Sequence, residues 1–431
     1  GFLAPIYSTN GRTGLDISAP FYWNIAPNVD ATIKARGMSK RGIMVNNEFR
    51  YMTKKLKGDI VFDILPNDDM TEQNRNRVQF KHKQSLGKGW DVGFDYNRVS
   101  DDLFFRDLGK GLAVTSRTQL LQKAKAGYSG TFGSGILKFS AQAQQYQTVQ
   151  DPARPASAPY KKLPQILLRA TQRDVFGVDL ELDTSYTEFA HRNAGIDPKK
   201  VDGKRYTFFP NVSKPIENSF GFITPKFGVH HTGYMLNRST ENIPEKNISR
   251  TLPIMSLDSG LTATRDTKIF GEGFNQTVEP RLFYVYVPYK NQSHIPKFDT
   301  GVQGFSFGRI FSENKFSGND RINDANRVTM SLTSRLIDEN TGVERIRLAV
   351  AKQVHLKKSR IGVVANPKRN SDIIVQLSGN ISEALSAKHT MQIDQSNRRT
   401  DVMRSIISYR PEIGKVINLG YRYTRGVLAQ Y

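Results

Sequence analysis

Apolar and polar residues alternate with a period of two along much of this chain. In the segment 14–28, GLDISAPFYWNIAPN, the odd-numbered positions from 15 to 23 are all apolar, and Asp16, Ser18 and Tyr22 lie between them. Successive side chains of a strand point to opposite faces, so this pattern predicts a strand with one apolar and one polar face. A helical period is far rarer, and the chain is therefore expected to be all-β. The same alternation occurs in segments 42–52, 90–101, 135–145, 176–186, 327–336, 344–350 and 415–425.

The connections between these predicted strands alternate between short and long in the first half of the chain. Short turns at one end of the strands and longer loops at the other are typical of outer-membrane β-barrels, whereas a soluble sandwich has no reason to sort its loops in this way. The predicted short connections are 24–28, 54–58, 87–89, 130–135 and 171–175, and the longer ones are 35–42, 65–76, 100–117 and 150–164.

Aromatic residues are frequent near the predicted strand ends. Aromatic girdles at the two membrane interfaces would place them there, although tyrosine and phenylalanine also favour strands in general. No run of about 18 apolar residues exists, so any membrane crossing would have to use strands. The aromatic residues concerned are Tyr22, Trp23, Tyr51, Tyr96, Tyr128, Tyr421 and Tyr423.

The charge balance favours a polyanionic partner. The 431 residues include 62 Lys and Arg but 40 Asp and Glu, a net charge of +22. Nucleic acid, acidic lipid and phosphorylated glycolipid are the candidate partners, and simple solubilisation is the alternative. The segment 75–83, RNRVQFKHK, interleaves cations with Phe80 in the manner of a nucleic-acid platform. Basic residues are nevertheless spread along the whole chain and no nucleic-acid module is recognisable, so we expect no nucleic-acid partner.

Catalytic signatures are poor. The chain has no cysteine, and its seven histidines show no metal-ligand spacing. The acidic pairs Asp68–Asp69 and Asp101–Asp102 fall in predicted loops, where a solvated or cation-binding surface is expected rather than acid–base catalysis. We therefore predict no enzyme activity, no catalytic residue, no metal and no cofactor.

Two prolines interrupt the first predicted hairpin. The segment 9–14, TNGRTG, predicts a turn centred near Arg12 and Thr13, and Pro5 and Pro20 lie about equally far from that centre. Proline has no N–H for a neighbouring strand. We expect the two prolines to lie roughly across from one another and to weaken the sheet locally, or else to mark a bulge near the end of the strands.

Several blocks resemble one family in the same order along the chain. They are similar to the barrel of the outer-membrane lipopolysaccharide (LPS) assembly proteins, the LPS-transport protein D family. The resemblance covers nearly the whole chain. The matching blocks are GFLAP at 1–5, SAPFYWNIAPNVDAT at 18–32, RGIMVNNEFRYM at 41–52, QTVEPRLFYVYVPYKNQ at 276–292, FSGNDRINDANRVTMSLTSRLID at 316–338 and RPEIGKVINLGYRYTR at 410–425.

The resemblance implies a large antiparallel transmembrane β-barrel of about 26 strands in the outer membrane of a Gram-negative bacterium. Residues 1–431 would form this barrel, without the family's N-terminal periplasmic β-domain and without its last strands. The family implies a translocon that receives lipopolysaccharide from a periplasmic bridge and inserts it into the outer leaflet. The implied partners are a plug lipoprotein of the LptE type, a bridge protein of the LptA type through the absent domain, and outer-membrane lipids. A passive porin-like channel remains the alternative.

The resemblance also implies where the functional residues lie. Pro5 and Pro20 would ease the opening of a lateral gate between the first and last strands. A family motif beside this gate comprises Tyr22, Trp23, Asn24, Pro27, Asn28 and Asp30. The alternation itself gives candidates for a hydrated inner face, namely Lys34, Arg36, Asn46, Glu48, Arg50, Asp91, Asp95, Asp179, Glu181 and Asp183. Family-matching residues without an expected role are Asp320, Arg321, Asn326, Arg327 and Arg335.

Overall fold

The fold is all-β, as the alternation predicts. The computed structural model describes residues 1–149, 156–194, 196–197, 199–269, 271–303, 306–361, 370–395 and 397–425. Across these residues, 23 strands belong to one antiparallel sheet, accompanied by two short α-helices and one 3-10 helix. No helix of the described part is both long and apolar enough to cross a membrane. The all-β, antiparallel prediction is confirmed.

The chain divides into two compact units. The first comprises Gly1–Gln172, Leu182–Phe208 and Gly233–Ser249, and the second comprises Arg173–Glu181, Phe209–Thr232 and Arg250–Tyr431. The strands wholly within the first unit are β1 (Ile6–Asn10), β2 (Gly14–Ala26), β3 (Val29–Met38), β4 (Gly42–Met52), β5 (Leu56–Asp68), β6 (Gln73–Gly87), β7 (Trp90–Val99), β8 (Gln119–Phe132) and β9 (Gly135–Thr148), with helices α1 (Phe104–Leu108) and α2 (Leu112–Thr115) between β7 and β8.

The remaining strands continue the same antiparallel sheet. Five of them contribute residues to both units: β10 (Lys161–Val175), β11 (Val178–Ala190), β12 (Gly203–Ser213), β14 (Gly221–Leu236) and β15 (Asn247–Leu261). The second unit contains β13 (Ile216–Asn218), β16 (Ala263–Ile269), β17 (Glu272–Val287), the 3-10 helix (Phe307–Phe311), β18 (Ala325–Asp338), β19 (Glu344–His355), β20 (Asn370–Asn380), β21 (Leu385–Asp394), β22 (Arg399–Glu412) and β23 (Lys415–Thr424).

Turn lengths in the first unit are sorted by strand end, but less strongly than the sequence predicts. The turns 27–28, 53–55, 88–89 and 133–134 have two or three residues each, and we call the strand ends that they join the short-turn end. The prediction of longer loops at 35–42 and 65–76 is wrong, because β3 continues to Met38 and β5 continues to Asp68. Polar residues there stay in the ladder, with Asp68 paired to Gln73, since ion pairs satisfy their side chains. Part of the predicted loop 150–164, residues 150–155, lies outside the described residues.

The loop 100–118 packs on the polar face of β3–β5. Met44 is directly opposite Arg36 across the β3–β4 ladder, so this face includes apolar as well as charged side chains. Phe104, Phe105 and Leu108 from α1 complete a buried cluster with residues of the sheet. A loop that would otherwise be solvated is thereby anchored by burial of apolar surface. The cluster comprises Met38, Met44, Leu65, Val99, Phe104, Phe105, Leu108, Leu120 and Val149.

Candidate functional site in the first hairpin and on the polar face

The first hairpin turns where the sequence predicts. Asn10 pairs with Gly14, and the Asn10 side-chain oxygen accepts the backbone N–H groups of Arg12 (2.9 Å) and Thr13 (3.0 Å). Gly14 has a φ of +70°, a conformation that glycine adopts without steric cost. The turn residues 11–13 thus set the register by which β1 meets β2.

A one-residue bulge interrupts the hairpin at Pro5. Ile6 pairs with Ser18, whereas the Leu3 N–H donates to the Pro20 carbonyl oxygen at 2.9 Å. Three steps along the first segment therefore match two steps along β2, so that Ala4 and Pro5 together face Ala19. Two residues opposite one define a β-bulge. Beyond it the pairing resumes, with Phe2 opposite Phe21 and their ring centroids 5.1 Å apart.

Pro20 leaves one donor position of the ladder empty. Its carbonyl oxygen accepts from Leu3, and the nitrogen of the same strand residue points to the same side, so the missing N–H faces the first segment and not β3. The β2–β3 ladder is continuous here, with Pro20 paired to Lys34. Pro5 and Pro20 thus lie one residue out of register on facing segments. Their combined effect falls on the contact between the first segment and β2.

The family-motif residues follow Pro20 to the short-turn end. Tyr22 pairs with Thr32, Trp23 with Ala31 and Asn24 with Asp30, and Pro27 and Asn28 form the turn. Trp23 lies on the apolar face and is about half exposed (52%). Asp30 accepts a hydrogen bond from Arg50 at 2.7 Å. A cleft of about 570 Å³ brings Pro27, Asn28 and Asp30 together with Arg50, Lys57 and Lys81.

The polar face of β3–β8 arranges its charges in rows across the strands. One row alternates in sign through direct cross-strand pairs, which is a favourable arrangement because opposite charges face each other. It places the candidates Arg50 and Asp95 on one face, as the alternation predicts. The row runs Asp30, Arg50, Asp59, Lys81, Asp95 and Lys123.

Other candidates for the inner face have different partners. Lys34 and Asn46 are directly opposite each other, and Asn46 donates to Asp63 at 2.8 Å. Glu48 pairs with Thr32 and Asp91 lies 3.7 Å from Lys125. In β11, Asp179, Glu181 and Asp183 share one face by their spacing; Asp183 binds Arg169, and Asp179 accepts the N–H of Asp174 at 3.0 Å.

Two buried ion networks on this face were missed by sequence reasoning. Asp16 is fully buried and lies 2.7 Å from Arg36, whose guanidinium also donates to the Leu108 carbonyl oxygen at 2.8 Å. Lys110 reaches Asp16 at 3.2 Å, and Arg12 donates to the Arg106 carbonyl oxygen at 2.6 Å. The loop 100–118 is therefore tied to the first two hairpins by charge as well as by apolar contact.

The second network corrects the expected surface role for one member of each acidic pair, whereas Asp69 and Asp102 are exposed as expected. Asp68 is fully buried and lies 2.6 Å from Arg41 and 2.9 Å from Arg75. Arg75 also binds Asp101 at 2.7 Å and Asp107 at 3.2 Å. Asp68 is therefore not a solvated residue and Asp101 is only partly exposed, because the loop and the sheet bring them against arginines. The run LFF at 103–105 was the available signal, since an exposed loop has little reason for it.

The family-matching block of the second unit anchors the loop 288–324. Asp320 is fully buried and accepts the N–H groups of Phe298 (2.8 Å) and Asp299 (3.0 Å). The remaining residues of the block bind loop or neighbouring strand groups, which gives them structural roles that the sequence does not reveal. Arg321 donates to the Ile295 carbonyl oxygen (2.7 Å), Arg327 to that of Ser312 (2.6 Å) and Arg335 to Glu279 (3.0 Å), and Asn326 accepts from Tyr284 (3.2 Å).

Curated relatives match this chain along its entire length. It is 48% identical to the LPS-assembly protein LptD of Nitrosospira multiformis, covering 100% of this chain and 46% of that protein. It is 46% identical to the proteins of the same name from Nitrosomonas eutropha and Nitrosomonas europaea, covering 100% of this chain and 59% of each. The chain spans about half the length of the curated relatives it matches.

A solved structure and a family model complete the comparison. CdiB from Acinetobacter baumannii is 11% identical with a TM-score of 0.28, covering 98% of this chain and 66% of that one, a similarity too low to support an argument. The family model "LptD: LPS transport system D" matches residues 73–431. This match extends over most of the chain, and the chain therefore belongs to the LptD family, LPS transport system D.

Proposed function

We propose that this chain is part of an outer-membrane translocon that receives lipopolysaccharide from a periplasmic bridge and inserts it into the outer leaflet. The observation that supports this most strongly is the match of the whole chain to LPS-assembly proteins at 46–48% identity. The chain acts by positioning and passing on a lipid, and it performs no covalent chemistry.

The different character of the two faces of the sheet supports a location in the outer membrane. Leu15, Ile17 and Trp23 on the apolar face of β2 are each about half exposed, whereas Asp16 on the other face is buried in an ion pair. A row of exposed apolar side chains is unfavourable in water and favourable in lipid. In this proposal the sheet closes into a barrel in the outer membrane of a Gram-negative bacterium, with the charged face toward a hydrated interior.

The lateral gate is proposed at the first hairpin. The bulge at Pro5 and the empty donor position at Pro20 weaken the contact between the first segment and β2. A net hydrogen bond contributes about 0.5–1.5 kcal/mol, and its loss costs more where no water can replace it. In this proposal the first and last strands separate, the lipid portion leaves sideways and the sugar chain passes along the polar face.

The partners follow from the same proposal. A plug lipoprotein of the LptE type would occupy the interior, and a bridge protein of the LptA type would deliver the lipid from the periplasm. Charged rows such as Asp30–Arg50–Asp59 provide a hydrated surface for sugars. A passive porin-like channel is less well supported, because the loop 100–118 covers part of the polar face with a packed apolar cluster.

Complementation in cells tests this function. A Gram-negative host depleted of its own LPS-assembly protein would produce this protein, and newly made lipopolysaccharide at the cell surface would be measured. We expect surface delivery to be restored. Normal folding in the outer membrane without surface lipopolysaccharide, together with ion conductance of the purified plugged complex, would instead support the passive channel.

A further inference from the structure

A second cavity lies on the polar face of β20–β23, away from the first hairpin in sequence. It has a volume of about 290 Å³, close to the lower end of the range for small-molecule sites. Lys388, Arg404 and Arg422 line it, and among the described residues no carboxylate does. Thr390, Thr424 and Phe307 are also part of the lining.

The register brings these cations together on neighbouring strands. Thr390 pairs with Arg404, and Arg404 pairs directly with Arg422. Lys388 is two residues from Thr390 in β21, on the same face. Directly opposite side chains have Cβ atoms roughly 5 Å apart, and like charges in this position destabilise a sheet. The arrangement has a cost unless an anion binds between the charges.

Three other arginines of the second unit have acidic partners. Arg281 lies 2.5 Å from Asp258, Arg335 lies 3.0 Å from Glu279 and Arg345 lies 3.0 Å from Asp338. Within the part of the chain that the structure describes, Lys388, Arg404 and Arg422 form no ion pair. No acidic side chain among the described residues therefore neutralises the three cations of this cavity.

We propose that this cavity binds a phosphoryl group attached to a saccharide. Planar guanidinium groups bind phosphate through paired N–H donors, and Lys388 adds a compact positive charge. The hydroxyl groups of Thr390 and Thr424 suit the sugar or the remaining phosphate oxygens. Val402 and Phe307 add apolar surface to the lining beside these charges. The inference rests on the proposed function, since phosphorylated sugar is the substrate class of that function.

Titration of the purified protein in detergent tests the site. The ligands are N-acetylglucosamine 1-phosphate, inorganic phosphate and neutral N-acetylglucosamine, with phosphorus NMR following the first two and competition following the third. The variant combines Lys388→Gln, Arg404→Gln and Arg422→Gln. The matched control combines Lys54→Gln, Lys55→Gln and Lys88→Gln, which removes the same charge from exposed turn positions of the first unit. Circular dichroism verifies the fold of each variant.

We expect the sugar phosphate to bind the unaltered protein and the control alike, and to bind the Lys388–Arg404–Arg422 variant at least tenfold more weakly. Equal loss in both variants would overturn the site, because only overall charge would then matter. Equal affinity for inorganic phosphate would overturn the saccharide assignment. Surface delivery of lipopolysaccharide by the unaltered protein is measured separately. Delivery without binding of the sugar phosphate would refute the binding site but not the proposed function. Binding of the sugar phosphate without delivery would refute the proposed function.

Discussion

Asp16 illustrates how strongly a single buried charge depends on its neighbours. Its carboxylate is fully buried and lies 2.7 Å from the Arg36 guanidinium, which is itself buried. Removing one member of a buried pair typically costs about 3–5 kcal/mol, because the other charge is left without compensation. We expect Asp16→Asn to lower the apparent midpoint of thermal unfolding, measured by circular dichroism in detergent.

A double substitution provides the control for this pair. Asp16→Leu combined with Arg36→Met removes both charges and keeps the branched shape of residue 16 and much of the length of residue 36, so it should recover most of the lost stability. If the Asp16→Asn variant unfolds at the same temperature as the unaltered protein, the buried Asp16–Arg36 ion pair does not contribute to stability as proposed.

At the scale of elements, we expect the stability of the first hairpin to change when its two prolines are replaced. Pro5→Ala with Pro20→Thr restores the backbone N–H that faces Leu3, which should stabilise the hairpin by about 0.5–1.5 kcal/mol. Slower amide exchange in β1 and slower surface delivery of lipopolysaccharide are the expected results.

Pro280→Thr is the matched control for the hairpin variant. Pro280 lies within β17 of the second unit and pairs with Leu332. We expect delivery to stay at the unaltered rate in this control. Unchanged delivery in the Pro5–Pro20 double variant would refute a gating role for the prolines.

The loop 100–118 is a second element with a testable anchor. Phe104 and Phe105 are each 3% exposed in the apolar cluster. Truncating a buried phenylalanine typically costs about 3–5 kcal/mol. We expect Phe104→Ala with Phe105→Ala to release the loop and to increase the rate of tryptic cleavage after Lys110.

Phe132→Ala is the control for the loop variant, because Phe132 is an exposed residue at the end of β8. Cleavage at the unaltered rate in the Phe104–Phe105 variant would show that the ion pairs alone hold the loop.

The strands were predictable from sequence because alternation reports directly on a sheet with two different faces. The segment 42–52 coincides with β4. The burial of Asp68 and the ion pair of Asp101 with Arg75 were not predictable, because alternation does not reveal which loop covers the polar face. A bulge was one of the two alternatives that the prolines suggested, but its position at Pro5 depends on a one-residue change of register that the sequence does not specify.

At the scale of the whole molecule, the net charge of +22 predicts salt-sensitive binding of anions. The screening length falls from about 30 Å at 0.01 M salt to about 3 Å at 1 M. We expect affinity for N-acetylglucosamine 1-phosphate to decrease over this range. Affinity that is independent of salt would contradict recognition through charge, and neutral N-acetylglucosamine is the control ligand.

The most direct measurement is site-specific photo-crosslinking of lipopolysaccharide in cells that produce this protein. A photoreactive residue at Ile17 or Phe21, beside Pro20, is compared with one at Leu348 or Val350 in β19, whose side chains also lie on the apolar face. The proposed gate predicts stronger crosslinking at the first hairpin during active delivery. Equal crosslinking at the two places would contradict delivery through the first hairpin.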